Sequence, residues 1–268
     1  MLAYERVGSG EPLVLLHGIG HRRQTWYPVL DELARHREVI LVDLPGHGES
    51  PRLRTHGRPA AEAMRDELMA FFAEQGLDRP HIAGNSLGGW IGLDIAELGG
   101  ARSVTGLSPG GFWYSPLDFA YSCGLFGLVM GIATVLSPAA RWLTRSKAGR
   151  WLLFSWICTR PANLTPEQAL GDFRAFMKAR PTVLRFITAG KPFGHDVSVR
   201  VPVTVAWADW DLVLPRYQAR RARRVLTQGE HLRLPRCGHV PMSDDPALIT
   251  RIVLHGSRPV EAPIAPAA

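Results

Sequence analysis

The stretch Ile82-Ala83-Gly84-Asn85-Ser86-Leu87-Gly88-Gly89-Trp90 constrains this chain more tightly than any other. It sets a serine at the centre of Gly-x-Ser-x-Gly, after a short apolar run from His81 to Ala83 and before a helix-compatible run from Trp90 to Leu98. A strand, a tight turn and a helix in that order hold a serine hydroxyl out beyond the end of a sheet. The turn strains the serine backbone, and Gly84 and Gly88 remove the side chains that would collide where the helix folds back on its strand. The same turn leaves the Leu87 N–H at a helix N-terminus, where developing negative charge is stabilised.

The flanking sequence fits a sheet around that turn. Leu13–Leu16, Val39–Val42, Val104–Leu107 and Val201–Ala206 are continuous or nearly continuous apolar runs, the pattern of strands buried on both faces. Thr25–Arg35, Arg58–Gly76 and Arg216–Leu226 have helical spacing, His231–Leu234 reads as a short strand, and Leu2–Val7 alternates like an edge strand. This alternation predicts an α/β fold with a mostly parallel, doubly wound sheet, whose ligands bind beyond the carboxyl ends of the strands.

From Ser108 to Gly194 the alternation stops. That segment holds Trp113, Trp142, Trp151 and Trp156, a helix start at Thr165-Pro-Glu-Gln168, and no run that reads as a central strand. It is too long for a structureless loop, so the expectation is an inserted helical cap over residues 108–194, with the core in 1–107 and 195–256. The Pro- and Ala-rich segment 257–268 reads as a disordered tail.

Composition narrows the class. A chain that is 46% hydrophobic and 21% charged can bury a core and is not a disordered polyelectrolyte. The net charge of +7 is carried almost wholly by arginines scattered along the chain, which argues for a solvated surface rather than nucleic-acid binding. Cys123, Cys158 and Cys237 are odd in number and lack metal-ligand spacing, so neither a disulfide framework nor a bound metal is expected. The first ten residues lack the apolar core of a signal peptide, leaving the cytoplasm as the default location. The longest apolar run, Cys123–Leu136, has 14 residues, short of the roughly 20 that span a bilayer. Arg141, Arg145, Lys147 and Arg150 follow it, but a charge cluster is usually a solvated face, so membrane contact is the disfavoured expectation.

A neutral serine needs a base, and the base needs a partner that holds its tautomer. Two late loops supply them: Trp207-Ala-Asp209-Trp-Asp211-Leu-Val-Leu-Pro215 carries carboxylates, and Gly238-His239-Val-Pro241 carries an imidazole between a freeing glycine and a stiffening proline. The order serine, acid, histidine and the loop His17-Gly18-Ile19-Gly20, whose backbone N–H groups can turn toward an oxyanion, complete the set. In the loop Asp43-Leu-Pro-Gly-His47-Gly-Glu-Ser50, turn bracing by Asp43 and His47 is favoured over catalysis.

These motifs together resemble the α/β-hydrolase superfamily, specifically its capped esterases and its carbon-carbon bond hydrolases of the meta-cleavage product type. The resemblance implies Ser86 as nucleophile, Asp211 as orienting acid, His239 as general base and the N–H groups of Ile19 and Leu87 as oxyanion donors. The acid motif departs from the superfamily pattern, with Ala208 where glycine is usual; this keeps Asp209 beside Asp211 as a candidate, and spacing to Pro215 favours Asp211. The implied activity is hydrolysis of a carboxylic ester of an apolar acyl or aromatic small molecule, without cofactor or metal. The alternatives are cleavage of a carbon-carbon bond in a ring-fission dienoate or β-diketone, and a receptor or scaffold that keeps the fold without the chemistry. An aromatic residue usually follows the base in ring-fission hydrolases, where this chain has Val240, so the ester reading leads.

Overall fold

The computed structural model describes residues 1–187 and 192–258. Seven strands form one sheet in the order β1-β3-β2-β4-β5-β6-β7: β1 (Tyr4–Gly8), β2 (Pro12–Leu16), β3 (Glu38–Val42), β4 (His81–Asn85), β5 (Ser103–Leu107), β6 (Val203–Ala208) and β7 (Glu230–Leu234). Only β1 is antiparallel, pairing Tyr4 with Val42 at the edge; every other pair is parallel. Leu13, Val14, Leu15 and Leu16 are all buried, as are Val39 through Val42, because helices cover both faces of these strands. Each such aliphatic side chain contributes about 2 kcal/mol by leaving water.

The covering helices are α1 (Tyr27–Ala34), α2 (Ala60–Glu74), α3 (Leu87–Glu97), α9 (Gln218–Val225) and α10 (Pro246–Gly256). α2 turns Met64, Leu68, Phe71 and Phe72 inward, the face its sequence spacing marks. α3 begins at Leu87, three residues earlier than the apolar run from Trp90 implies, because Gly88 and Gly89 allow the first turn to lie against β2 and β4. A Cβ on Gly88 would stand 2.2 Å from the Leu16 carbonyl oxygen, and one on Gly84 2.3 Å from the Gly88 backbone.

Between β5 and β6 there is no strand among the described residues. The chain instead forms α4 (Pro116–Leu136), α5 (Ala140–Leu143), α6 (Lys147–Phe154), α7 (Pro166–Lys178) and α8 (Arg180–Ile187). α7 opens with a capping box in which Thr165 and Gln168 satisfy each other's backbone N–H. α4 starts at Ser115, whose hydroxyl accepts from Asp118 N–H, and is 21 residues long rather than the 14 of its apolar run. Its path continues helically to Leu143, making it the one helix among the described residues long and apolar enough to cross a membrane. The expected disordered tail lies, from residue 259 onward, outside the described residues.

The inserted helices are tied to the loops at the carboxyl ends of the strands. Arg22, after β2, bonds Asp172 Oδ1 on α7 at 2.8 Å, and Lys178 Nζ donates to the Gly48 carbonyl at 2.6 Å. At the far end of the sheet, Asp244 accepts N–H groups from Thr159, Arg160 and Gly238.

Candidate active site

Ser86 sits between β4 and α3 with φ 54° and ψ −115°, the strained left-handed geometry that the flanking glycines permit. Its N–H donates to the Leu107 carbonyl at 3.0 Å, and its own carbonyl accepts from Trp90 and Gly110 N–H. The backbone is thereby fixed on three sides. The hydroxyl faces a cavity whose walls include Trp90, Trp113, Phe119, Phe126 and Phe186.

The loop after β2 passes against this turn. A Cβ on Gly18 would lie 3.2 Å from Ser86 Cβ, which explains a residue without a side chain there. His17 sets the loop's path: its Nε2 accepts the Leu44 N–H at 3.0 Å, so its Nδ1 carries the proton and donates to the Gly18 carbonyl at 2.8 Å. Burial pushes the His17 pKa well below the ordinary value and keeps the ring neutral, as this pattern requires. Ile19 and Leu87 both line the Ser86 cavity, and among the described residues neither backbone N–H is bonded to another protein group. Two unspent donors beside a serine can receive an oxyanion.

His239 and Asp211 are both buried, and His239 Nδ1 lies 2.8 Å from Asp211 Oδ2. The other carboxylate oxygen accepts the N–H groups of Val213 and Leu214 at 2.9 and 2.7 Å, which locks its rotamer. Asp209 points elsewhere, to Arg233 at 2.8 Å and Arg216 at 3.2 Å, and these guanidinium groups lower its pKa. Of the two carboxylates, Asp211, which the spacing to Pro215 favours, is the one beside His239, and Asp209 is held by arginines instead. Ser86 Oγ has no protein hydrogen-bond partner among the described residues, His239 included; such bonds are often long without substrate and tighten on binding.

Asp43 and His47 brace their turn. Asp43 is fully buried and accepts from Arg23 N–H at 2.7 Å, Glu49 N–H at 2.9 Å and the Arg23 guanidinium. His47 Nδ1 pairs with the Pro45 carbonyl, and burial lowers its pKa to about 4.

Three residues matter that sequence reasoning passed over. Asn85 Nδ2 donates to the carbonyls of Leu107 and His239, at 3.0 and 2.8 Å, joining the serine turn to the histidine loop. Asp244 holds the histidine loop to the segment after α6, accepting the N–H groups of Gly238 and Thr159, while its neighbour Asp245 caps α10 through Leu248 N–H. His21 is brought close to His239, and its pKa is lowered to about 3, by burial first and the neighbouring His239 second, so it stays neutral. The available signals were the position of Asn85 beside the serine and of His21 after the glycine loop.

The apolar residues of the insertion divide between roles. Phe126 and Trp113 wall the Ser86 cavity, Val129 and Trp156 line a second cavity between α4, α6 and α7, and Leu128, Trp142 and Trp151 face solvent. Arg150 does not share the surface of its basic neighbours: it is buried, and Nη1 donates to the carbonyls of Thr144 and Arg145.

The chain matches the Alpha/beta hydrolase family over residues 13–252, and it belongs to that family. It is 29% identical over 241 residues to the dihydrolipoyllysine-residue acetyltransferase component of the acetoin cleaving system of Pseudomonas putida, covering 87% of this chain and 59% of that protein. It is 37% identical over 97 residues to the (E)-2-((N-methylformamido)methylene)succinate hydrolase of Acinetobacter baylyi, 35% of each chain. The chain thus spans less than two thirds of the length of these two relatives. Among solved structures it is similar in fold to a thermophilic esterase from Thermogutta terrifontis, with a TM-score of 0.70 at 21% identity over 95% of this chain and 92% of that one.

Proposed function

We propose that this α/β-family hydrolase is a serine esterase that cleaves a carboxylic ester of an apolar acyl or aromatic substrate. The observation that carries the reading is the convergence at Ser86: a strained serine, two unspent N–H groups beside it, and a buried Asp211–His239 pair tied through Asn85 to the same turn.

In this reading His239 Nε2 takes the proton of Ser86 as Oγ attacks the ester carbonyl carbon, and the N–H groups of Ile19 and Leu87 hold the oxyanion. Collapse breaks the bond to the leaving oxygen, which takes the proton from His239. Water then gives a proton to His239 and attacks the acyl carbon, and Ser86 recovers its proton as the acid leaves. Asp211 keeps the Nδ1 proton in place and stabilises the imidazolium. Each oxyanion donor is worth about 3 kcal/mol in the transition state. The inserted helices act as a cap that keeps bulk water from the acyl-enzyme.

The walls of the cavity support an ester over a ring-fission dienoate. A dienoate carries a carboxylate, and among the described lining residues there is no Arg or Lys to meet it. The test is initial rates on p-nitrophenyl esters of increasing acyl length, with Ser86→Ala as blank. A Ser86-dependent rate that peaks at one length supports the proposal; no such rate at any length overturns it.

A further inference from the structure

One face of α4 is largely exposed to solvent, touched near its start by the Tyr121 hydroxyl, which donates to the Leu212 carbonyl at 2.7 Å. Leu117, Tyr121, Leu128, Ile132 and Val135 recur on it at helical spacing, with Leu128 62% and Val135 78% exposed. Gly124, Gly127 and Gly131 lie among them with open space where a Cβ would stand. The opposite face is occupied: Phe126, Met130 and Ala133 are buried, and Ser122 Oγ donates to the Val213 carbonyl at 2.9 Å. Lipid cannot surround a helix whose other side is packed on the core, so α4 does not span a bilayer; it can lie along one.

The surroundings specify what meets this face. The helical path runs on to Leu143, so Trp142, seven residues past Val135, falls on the same side and is 71% exposed. Leu152 of α6 is more than half exposed and lines a cavity together with Ile132, which brings α6 and its exposed Trp151 to the same edge. Arg141, Arg145 and Lys147 stand exposed around Trp142, and none has a carboxylate within 4.0 Å among the described residues. From Pro116 to Phe154 the sequence holds one carboxylate, Asp118, and it is engaged by the Tyr114 N–H and the Tyr217 hydroxyl. A second copy of this chain would bring no acidic group on this face to answer three cations; anionic headgroups do.

We propose that this face docks on an anionic membrane surface, with α4 in the plane of the bilayer, the exposed side chains of α4 and α6 at the headgroup–acyl boundary, and Arg141, Arg145 and Lys147 on lipid phosphates or carboxylates. Tryptophans belong at that depth because the ring is apolar and its N–H polar. Docking places the mouth of the second cavity, at Ile132 and Leu152, on the lipid side. Trp156 in that cavity stacks edge-on against Phe126, at 5.7 Å, and Phe126 walls the Ser86 cavity. One layer of aromatic rings thus separates a lipid-facing cavity from the serine.

The test is sedimentation of the whole protein with vesicles of phosphatidylcholine alone and of phosphatidylcholine mixed with phosphatidylserine, across a salt series. Binding is expected on the anionic vesicles at low salt, falling steeply as added salt shortens the screening length to about 3 Å. Replacing Arg141, Arg145 and Lys147 together by Ala should weaken it about a hundredfold, from a factor of about five per cation, and flatten the salt dependence. Leu128→Glu with Val135→Glu should weaken it at least about tenfold while thermal melting stays unchanged, since both side chains already face water. No binding at low salt overturns the proposal, as does binding that survives both sets of substitutions. Sedimentation equilibrium showing a dimer abolished by the glutamates, without vesicle binding, would assign the face to self-association and overturn it equally. None of these readouts depends on Ser86 chemistry, so the outcome stands apart from the esterase reading.

Discussion

Asn85 Nδ2 donates to the main-chain carbonyl of His239 at 2.8 Å, across 154 positions of sequence. The residue directly before the serine therefore sets the position of the loop that carries the imidazole. Asn85→Ala removes the donor to the buried His239 carbonyl, while the Leu107 carbonyl keeps the Ser86 N–H, at a cost of about 1–3 kcal/mol. In the esterase reading, kcat should fall at least about tenfold, because small displacements of the base are costly, while KM moves little. Steady-state kinetics beside thermal melting checks this; unchanged kcat with a lowered Tm would reduce Asn85 to a stability role.

The two neighbouring carboxylates give a sharper contrast. In the esterase reading, Asp211→Asn keeps the shape but loses the charge that holds the Nδ1 proton, and should lower kcat by roughly 10³- to 10⁴-fold. Asp209→Asn disturbs only partly exposed contacts with Arg216 and Arg233 and should leave kcat within about twofold. Both variants measured on one ester decide the matter; the reverse ranking would move the acid role to Asp209.

Asp94, on α3 one turn beyond Trp90, has its carboxyl raised to about 7 by burial, with Glu97 and Glu62 adding and Arg65 opposing. The unfolded chain ionises this group near the ordinary 3.8 while the folded chain holds the proton until about 7. The folded state binds more protons in that window, so stability falls as pH rises from about 4 to 7 and the penalty is complete above it. Asp94→Asn removes a cost on the order of 3 kcal/mol at pH 8 and changes nothing at pH 3.5. Denaturant unfolding at the two pH values tests it, and equal gains at both would sink the assignment.

Arg22 and Asp172 join the loop after β2 to α7, with burial raising the Asp172 pKa and Arg22 opposing that rise. Arg22→Met leaves Asp172 as an unpaired buried carboxylate, a loss of about 3 kcal/mol. The double variant with Asp172→Leu should recover most of it, since an apolar pair can replace a buried ion pair. Hydrogen exchange in α7 reads the change: protection should drop in the single variant and return in the double.

Much of this architecture is written locally. Leu13–Leu16 and Val39–Val42 are strands because continuous apolar runs fit only a sheet covered on both faces, and Gly84 and Gly88 announce the turn because nothing larger fits. What could not be read depends on distant partners. Spacing to Pro215 favours Asp211 over Asp209, but which of the two reaches His239 is decided by the path of the loop. The clamp made by Asn85 joins β4 to a loop that follows β7, and no local pattern encodes that meeting. The length of α4 was hidden because its first turns, Pro116 to Ser122, mix polar and apolar residues although they are helical. Arg150 looked like one of a surface cluster, but the turn before α6 buries it against carbonyls.

The junction at Asp244 bears on how such proteins can be recombined. One carboxylate receives N–H groups from Thr159 and Arg160 on the inserted side and from Gly238 on the histidine side, and Val240 N–H donates to the Ile157 carbonyl beside it. The segment that follows α6, residues 157–160, and the histidine loop are therefore one seam. A chimera that exchanges the inserted helices for those of another hydrolase, with breakpoints at residues 108 and 194, must carry a backbone of matching course past residues 157–160. Otherwise it strands a buried charge and unseats the imidazole together, so specificity in this fold is not a module that can be lifted off.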